Sequence, residues 1–210
     1  MKKDFEVYLF DFDGTLVDSH DSLTLVFAGA YSKVGVKVPD GYVRRLMRVP
    51  LYVGYSELNG PDDENSKQIF GLEIIRLLDD HEVLKATRPY SDTISVLTKL
   101  KEKGKTLGIV TSNNQKHVKE VLNFLNIDKN LFSIIVGNQE TKKHKPNPDP
   151  ILKAMELLGI DDKSKVTYVG DGLDDMRSAK NAEVTPILVD RLNEYKDECD
   201  IIIDDLNGLL

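Results

Sequence analysis

Short apolar runs alternate along this chain with segments of helical periodicity. The apolar runs predict strands at residues 7–11, 106–111, 134–136, 166–170, 186–189 and 200–203. Helical periodicity predicts helices near residues 91–103, 115–126, 148–158 and 174–182, and a last turn at 206–210. Because most of the runs are apolar throughout, they are typical of a parallel sheet that is covered on both faces. The pattern predicts an α/β fold, a doubly wound parallel sheet with right-handed crossovers.

One long segment after the first strand interrupts this alternation. Between Ser19 and about Arg88 only helical periodicity is visible, and it predicts helices near residues 21–34, 42–48 and 65–80. Glycine and proline residues separate these helical segments. We therefore expect an all-helical insertion at residues 19–87, within an α/β core domain made of residues 1–18 and 88–210.

Composition narrows the class of protein. Hydrophobic residues make up 40% of the chain, and no apolar run is long enough to span a membrane. The net charge of −7 disfavours nucleic acids and anionic membranes as partners. A single cysteine, Cys199, cannot form an internal disulfide, and we expect an inert, half-buried thiol. With no secretory apolar stretch near the N-terminus, these features predict a cytoplasmic protein. They leave open whether it is a monomer or a homodimer.

Two acidic residues, Asp11 and Asp13, follow the first apolar run. In a parallel α/β sheet the carboxyl ends of the strands meet at the binding crevice. Two carboxylates brought together there are costly unless a cation neutralises them, and Mg²⁺ prefers oxygen ligands. An isolated pair of this kind fits a solvated loop equally well. Three later groups argue against that alternative: Thr111-Ser112-Asn113 after the second strand, Lys145 in a proline-rich loop, and Asp171, Asp174 and Asp175 after the fourth strand.

In order and character these groups resemble the four motifs of the haloacid dehalogenase-like (HAD) hydrolase superfamily. The matching stretches are Asp11-Phe12-Asp13-Gly14-Thr15, Val110-Thr111, Lys145, and Gly170-Asp171 with Asp174 and Asp175. The segments 11–19 and 48–51 are similar to the phosphoglycolate phosphatase group, and the β-phosphoglucomutase branch is a close cousin. The resemblance implies a Rossmann-like HAD core with an inserted helical C1 cap. Such a cap closes over the site, excludes water and selects the substrate.

The resemblance also implies roles for the acidic residues. Asp11 is the expected nucleophile, which forms an aspartyl-phosphate intermediate. Asp13 is the expected general acid–base. The implied cofactor is Mg²⁺, held by Asp11, by Asp13 through its backbone carbonyl, and by Asp171. Asp175 is expected to support this metal site through water or through Lys145, and Asp174 is a neighbouring candidate for the same role.

The remaining motif residues are expected to bind the phosphoryl group. Thr111 would donate a hydrogen bond to it, and the backbone amides of Ser112 and Asn113 would add donors at a helix N-terminus. An ordinary helix cap is the alternative explanation of these residues, and it is compatible with that role. The Lys145 ammonium would neutralise the charges of Asp11 and of the phosphoryl group. Thr111 and Lys145 therefore complete the expected catalytic set with Asp11 and Asp13.

Within the helical insertion, three arginines are candidates for gripping the rest of the substrate. Arg44, Arg45 and Arg48 suit bidentate recognition of a carboxylate or phosphate. The spacing puts Arg44 and Arg48 on one face of a predicted helix. A solvated basic face is the alternative interpretation. The histidines show no partner pattern: we expect His20, His81 and His117 on the surface or in loops, and His144 next to Lys145 at the mouth of the site.

The function that we expect is that of a Mg²⁺-dependent phosphatase acting on a small phosphorylated metabolite, such as a phosphoglycolate-like phosphomonoester. Asp13 favours phosphate-ester chemistry, because the dehalogenase and phosphonatase branches lack an acid at this position. A pyrophosphatase and a phosphomutase are alternatives. Where the mutase branch has a cap histidine this chain has Leu23, and His20 lies too early. Two non-enzyme alternatives are a phosphorylation-switch receiver domain, which lacks a long insertion, and a catalytically silent scaffold.

Overall fold

A computed structural model describes residues 4–195 and 199–210 and divides the chain into two compact units. The smaller unit is Asp18–Arg88, and the larger one contains the chain up to Val17 and from Pro89 onward. In chain order the strands are β1 (Val7–Phe10), β2 (Val17–Asp18), β3 (Arg88–Pro89), β4 (Thr106–Val110), β5 (Ile134–Val136), β6 (Val166–Gly170), β7 (Thr185–Val189) and β8 (Ile202–Ile203).

The helices follow the same alternation. They are α1 (His20–Lys33), α2 (Val43–Met47), α3 (Leu51–Glu57), α4 (Glu64–Leu78), α5 (His81–Leu84), α6 (Thr93–Glu102), α7 (Gln115–Phe124), α8 (Asp149–Leu158) and α9 (Leu173–Asn181). Short 3-10 turns in the described part of the chain lie at Lys129–Leu131, Asn138–Glu140, Lys163–Lys165 and Leu206–Leu209. Among the described residues, no helix combines the length and the apolar character that a membrane span requires.

The larger unit is built on a six-stranded sheet with the order β5-β4-β1-β6-β7-β8. Each neighbouring pair of strands is parallel. The central strand β1 is buried along its whole length, which explains its uninterrupted apolar sequence. Side chains of β1, β4 and β6, including Leu9, Val110 and Tyr168, pack with α8 residues such as Ile151 and Met155. The predicted doubly wound parallel α/β fold is confirmed.

The predicted strands differ from the observed ones by one or two residues at their ends: β7 begins one residue earlier than predicted and β8 two residues later. Both β1 and β4 end one residue earlier than predicted, so that Asp11 and Thr111 lie just beyond the strands. The backbone amide of Asp11 still donates to Val169 O at 2.8 Å, and that of Thr111 to Val136 O at 3.0 Å. The two-residue strands β2 and β3 were not predicted, because so short a strand carries no periodic signal.

The smaller unit is helical and has its own core. Tyr31, Tyr55 and Phe70 form an aromatic cluster in which the Phe70 ring lies 4.7 Å from each tyrosine ring. Asp63 caps α4 by accepting a hydrogen bond from the Ser66 amide at 2.9 Å. The helices α3 and α5 were not predicted, because seven and four residues give too little periodicity to distinguish them from turns.

The prediction that His117 lies at the surface or in a loop is wrong. His117 is in the first turn of α7 and is buried, with a relative exposure of 5%. It shares the buried face of this helix with Val118, Val121 and Leu122. A polar residue at the edge of the apolar face of a helix can be buried by neighbouring elements. The apolar pattern of the sequence alone does not show this burial. Cys199 is a free thiol of intermediate burial, in agreement with its predicted burial.

A buried ion pair fastens the C-terminal part of the chain to the larger unit. Asp92 precedes α6 and accepts two hydrogen bonds of 3.1 Å from the Arg191 guanidinium. The same carboxylate accepts the amide of Leu206 at 2.6 Å. Arg191 also donates to the carbonyl of Thr15 at 3.2 Å, and it stacks over the ring of Tyr90. One carboxylate therefore links three segments that are distant in sequence.

We expect Asp92→Ala to lower the free energy of unfolding by about 3 kcal/mol, because it leaves a largely buried guanidinium and a buried amide without their acceptor. Glu183→Ala is the matched control, since it removes an ion pair with Lys163 whose side chains are 74% and 38% exposed. That control should cost less than about 1 kcal/mol. Urea unfolding of both variants measures the two values, and equal losses would contradict this account.

Candidate active site

Three aspartates converge at the carboxyl edge of the sheet. Asp11 follows β1, Asp171 follows β6, and Asp175 lies in the first turn of α9. Each offers a carboxylate oxygen, and these oxygens all lie within 4.8 Å of one another. Because β1 and β6 are parallel neighbours, their carboxyl ends meet at the same edge. Asp11 and Asp175 are buried, whereas Asp171 is half-buried.

Lys145 supplies a cation to this cluster. Its Nζ lies 2.8 Å from Asp11 Oδ1 and 2.7 Å from Asp175 Oδ1. The side chains of all three residues are at most 10% exposed. Lys145 comes from the loop before α8, and its peptide bond to Pro146 is cis. The structure thus brings Lys145 to Asp11 and Asp175, as the sequence predicted, although many residues separate them along the chain.

The electrostatics of this cluster are set by burial and by the Lys145 ammonium. Burial raises the pKa of Asp11 well above its usual range, and repulsion from Asp175 and Asp171 adds to the effect, which Lys145 only partly offsets. Burial alone would lower the pKa of Lys145, but the attraction of Asp11 and Asp175 outweighs burial and holds that pKa well above its usual value. Lys145 is therefore cationic, and its ammonium contacts the carboxyl groups of Asp11 and Asp175, with Asp171 close by. Such a set of hard oxygen donors fits a divalent cation such as Mg²⁺.

Two glycines allow this close approach. Gly14 has a φ of +80°, and a Cβ there would lie 2.5 Å from Asp171 Oδ2. A Cβ on Gly170 would lie 2.5 Å from the Cβ of Asp175. Side chains at either position would therefore push the acidic residues apart. In the same region Thr15 Oγ1 donates a hydrogen bond of 3.3 Å to Asp171 Oδ1.

The segment that follows β4 contacts Asp13 through a hydrogen bond. Asn113 donates from Nδ2 to Asp13 Oδ2 at 2.6 Å, which fixes the direction of the Asp13 carboxyl group. The backbone amide of Asn113 donates to Thr111 Oγ1 at 3.1 Å. Thr111 is buried and Ser112 is exposed. The structure therefore brings Asp13, Thr111 and Asn113 into one hydrogen-bonded group.

Other predicted residues lie apart from the cluster. Asp174 lies beside Arg177, whose Nη1 donates to its carboxylate at 3.0 Å, and its expected support of the metal site stays a prediction. A surface arginine one turn along the helix competes for this carboxylate. In the smaller unit, Arg45 pairs with Glu57 at 2.6 Å, so its guanidinium is already engaged.

The two other candidate arginines, Arg44 and Arg48, are exposed. Arg44 lies in α2, and this helix ends at Met47, so Arg48 follows it as the C-terminal cap residue. The helix is one residue shorter at each end than the predicted 42–48, and Arg48 keeps right-handed helical backbone angles, so the shared face of Arg44 and Arg48 stays a prediction. His144 is exposed beside Lys145.

Sequence reasoning missed Tyr168. Its hydroxyl donates to Val110 O at 2.8 Å and lies 3.2 Å from Lys145 Nζ and 3.4 Å from Asp175 Oδ1. The side chain is fully buried. A tyrosine within an otherwise unbroken buried strand is itself a signal, because a buried phenol needs a hydrogen-bonding partner.

Comparisons with known proteins agree with this geometry. The sequence pattern that defines the family of haloacid dehalogenase-like hydrolases matches residues 8–189, so the chain belongs to that family. The predicted resemblance to the HAD superfamily and the predicted class of enzyme, a HAD-like hydrolase, are confirmed.

Curated relatives match most of the chain. One is a candidate pyrophosphatase, PpaX, of Caldanaerobacter subterraneus, which is 32% identical over 182 residues, covering 86% of this chain and 80% of that protein. A second is a phosphoglycolate phosphatase of Aquifex aeolicus, 30% identical, with 84% and 80% covered. Among solved structures, a candidate haloacid dehalogenase-like hydrolase from Bacteroides fragilis is 28% identical, with a TM-score of 0.89 and 99% and 100% covered.

We expect Asp11→Asn to raise the free energy of unfolding by about 1 kcal/mol at pH 7, measured with chelator present. An increase of this size is common for stabilising substitutions. The neutral amide removes a buried charge whose ionisation is disfavoured in the folded state. The pKa of Asp11 is higher in the folded state than in the unfolded state. Ionisation of Asp11 therefore does not destabilise the fold below the unfolded-state pKa, and its full cost is reached above the folded-state pKa. The gain should therefore vanish below about pH 4.

Asp161→Asn is the control for this measurement, since Asp161 is exposed and lies at the opposite ends of the strands, before β6. It should change stability little at either pH. A loss of stability in Asp11→Asn at pH 7 would show that the ion pair with Lys145 outweighs the burial of the charge.

Proposed function

We propose that this protein is a Mg²⁺-dependent phosphatase that hydrolyses a small phosphorylated metabolite, a phosphoglycolate-like phosphomonoester, through an aspartyl-phosphate intermediate. One observation carries the proposal: the buried carboxylate of Asp11 is held by Lys145 at 2.8 Å within a cluster that includes Asp171 and Asp175. A carboxylate in this setting is fixed in direction and has little water around it. Family membership supports the same chemistry, because relatives include proteins named as phosphatases.

In the first step Asp11 attacks the phosphorus atom, so that a bond from its carboxylate oxygen to phosphorus forms as the bond to the ester oxygen breaks. Asp13 gives a proton to the leaving oxygen. In the second step Asp13 takes a proton from water, which attacks the same phosphorus atom and releases Asp11 and inorganic phosphate. The hydrogen bond from Asn113 holds the Asp13 carboxyl group in one orientation for both transfers.

The neighbouring groups hold the charge of the phosphoryl oxygens. Lys145 places an ammonium beside the attacking carboxylate, and Thr111 adds a buried hydroxyl at the end of β4, next to the Ser112 and Asn113 amides. Asp11, Asp171 and the backbone carbonyl of Asp13 would hold Mg²⁺, with Asp175 in support through Lys145. When bound, the ion supplies charge neutralisation for the approach of one anion to another.

A pyrophosphatase is the second candidate. It is favoured by the relative from Caldanaerobacter subterraneus, whose printed name is that of a candidate pyrophosphatase. The same residues would serve either substrate, because both reactions break a bond between phosphorus and oxygen. A phosphomutase is less favoured, since Leu23 lies where that branch has a histidine. The roles of the helical unit as a cap, and of Arg44, Arg45 and Arg48 as substrate contacts, stay predictions.

Localisation and assembly also stay proposals. A small metabolite as substrate, with neither nucleic acid nor membrane as partner, agrees with the net charge of −7. We propose a cytoplasmic enzyme, monomeric or homodimeric.

We expect Asp11→Asn to lower kcat by at least about 1000-fold, because the amide cannot act as the nucleophile. Asp13→Asn should lower kcat by about 100- to 10,000-fold, the usual range for loss of a general acid–base. Phosphate release from a panel of small phosphomonoesters and pyrophosphate measures both effects, and Asp161→Asn is the control that should keep full activity. Normal turnover by a folded Asp11→Asn protein would refute the assigned nucleophile.

We expect removal of the metal by chelator to abolish phosphate release, and added Mg²⁺ to restore it, because the acidic cluster otherwise repels the phosphoryl group. Across the panel, the highest kcat/KM identifies the substrate class and separates a phosphomonoesterase from a pyrophosphatase. Release that is unaffected by chelator would contradict the assignment of Mg²⁺. Phosphoryl transfer between sugar positions without release would identify a mutase instead.

A further inference from the structure

Tyr168 links three parts of the site at one buried hydroxyl. The residue lies on β6, and its side chain extends past β1 to the last carbonyl of β4, that of Val110. Val110 immediately precedes Thr111, and Tyr168 lies shortly before Asp171. The hydroxyl is therefore hydrogen-bonded to β4, the strand that precedes Thr111, while Tyr168 itself lies on β6, the strand that precedes Asp171.

The hydrogen-bonding capacity of this hydroxyl determines what it offers Lys145. A phenol has a single hydrogen to donate, and the contact of 2.8 Å with Val110 O is the shortest that uses it. Toward Lys145, whose Nζ lies at 3.2 Å, the phenol oxygen is then an acceptor. Burial raises the pKa of Tyr168 well above its usual value, so the group stays a neutral phenol.

Lys145 uses all of its donors in this arrangement. An ammonium has three N–H groups, and Asp11, Asp175 and Tyr168 accept from it at 2.8, 2.7 and 3.2 Å. A phosphoryl oxygen can therefore reach the ammonium only by replacing one of these acceptors. The two carboxylates are charged and close, whereas the phenol is neutral and more distant, so the contact with Tyr168 costs least to break.

We propose that Tyr168 is a positioning residue that holds the third N–H of Lys145 until a phosphoryl oxygen takes its place. This inference rests on the proposed function, since it assigns the phosphoryl group to the Lys145 ammonium. The phenol keeps the ammonium directed and fully hydrogen-bonded while the site is free of substrate. The same contact competes with the phosphoryl group, so it weakens the binding of both substrate and phosphate product and speeds product release.

The test is Tyr168→Phe, which keeps the ring and removes the hydroxyl. In this variant one buried N–H of Lys145 has lost its acceptor in the free protein, and bound phosphate supplies a new one. We expect the Kd of inorganic phosphate, measured by calorimetry with Mg²⁺ present, to fall about five- to tenfold, the size of one ordinary hydrogen bond. KM should fall with it, whereas kcat should stay the same or decrease because the product leaves more slowly.

Tyr8→Phe is the matched control. Tyr8 is a buried tyrosine on β1 that packs on the rings of Phe5 and Phe10. Its substitution should leave the Kd of phosphate unchanged. Should Tyr168→Phe not fold, Tyr168→Met removes the hydroxyl with a flexible side chain that fills irregular space.

An unchanged or higher Kd in a folded Tyr168 variant would overturn the inference, because it would show that the phenol does not compete with phosphate. A purely structural role would lower thermal stability and kcat without tightening phosphate binding. Failure of the proposed function has a different signature: the unmodified protein would release no phosphate from any member of the panel. The calorimetric comparison does not depend on turnover, so the two failures are distinguishable.

Discussion

The Lys145 ammonium lies between the buried carboxylates of Asp11 and Asp175, and the arrangement of the site depends on these two contacts. Burial of an unpaired charge costs several kcal/mol, so the Lys145 ammonium requires a carboxylate beside it. Asp171 adds a third acidic side chain close by. Three acidic side chains whose oxygens lie so close together suit a site that receives a divalent cation.

The parallel sheet produces this concentration of charge. Since β1 lies between β4 and β6 with all three strands parallel, the residues that follow them come to one edge. Glycines at positions 14 and 170 remove the side chains that would hold the acidic groups apart. Behind this edge Tyr168 connects β6 to the end of β4 and contacts Lys145. The chemistry of the site is thus supported by the strands rather than by flexible loops alone.

The fold could be predicted from the sequence because most residues of the buried strands are apolar and the long helices are periodic. Elements of a few residues, such as α3, α5, β2 and β3, could not, since a single turn or a two-residue pairing leaves no repeating pattern. His117 is a related case, because tertiary packing covers a polar residue at the margin of an apolar stripe. The motif residues were identifiable because their order along the chain is distinctive, even though each motif alone is common.

The choice of partner by each charged side chain was decided by tertiary structure. Asp174 and Asp175 are adjacent in sequence, yet Asp174 pairs with Arg177 at the surface and Asp175 with Lys145 in the interior. Arg45, a candidate for substrate contact, is engaged by Glu57. Electrostatic interactions depend on distance and on burial, and neither can be deduced from the order of residues along the chain.

The sequence by itself therefore determined the α/β class, the family, and the set of residues from which the site is built, because hydrophobic periodicity and motif order are local properties of the chain. Only the tertiary structure decided which carboxylates share the lysine, which residue orients Asp13, and that Tyr168 completes the hydrogen bonding of the ammonium. These features require groups distant in sequence to meet within about 3 Å, the range in which hydrogen bonds form.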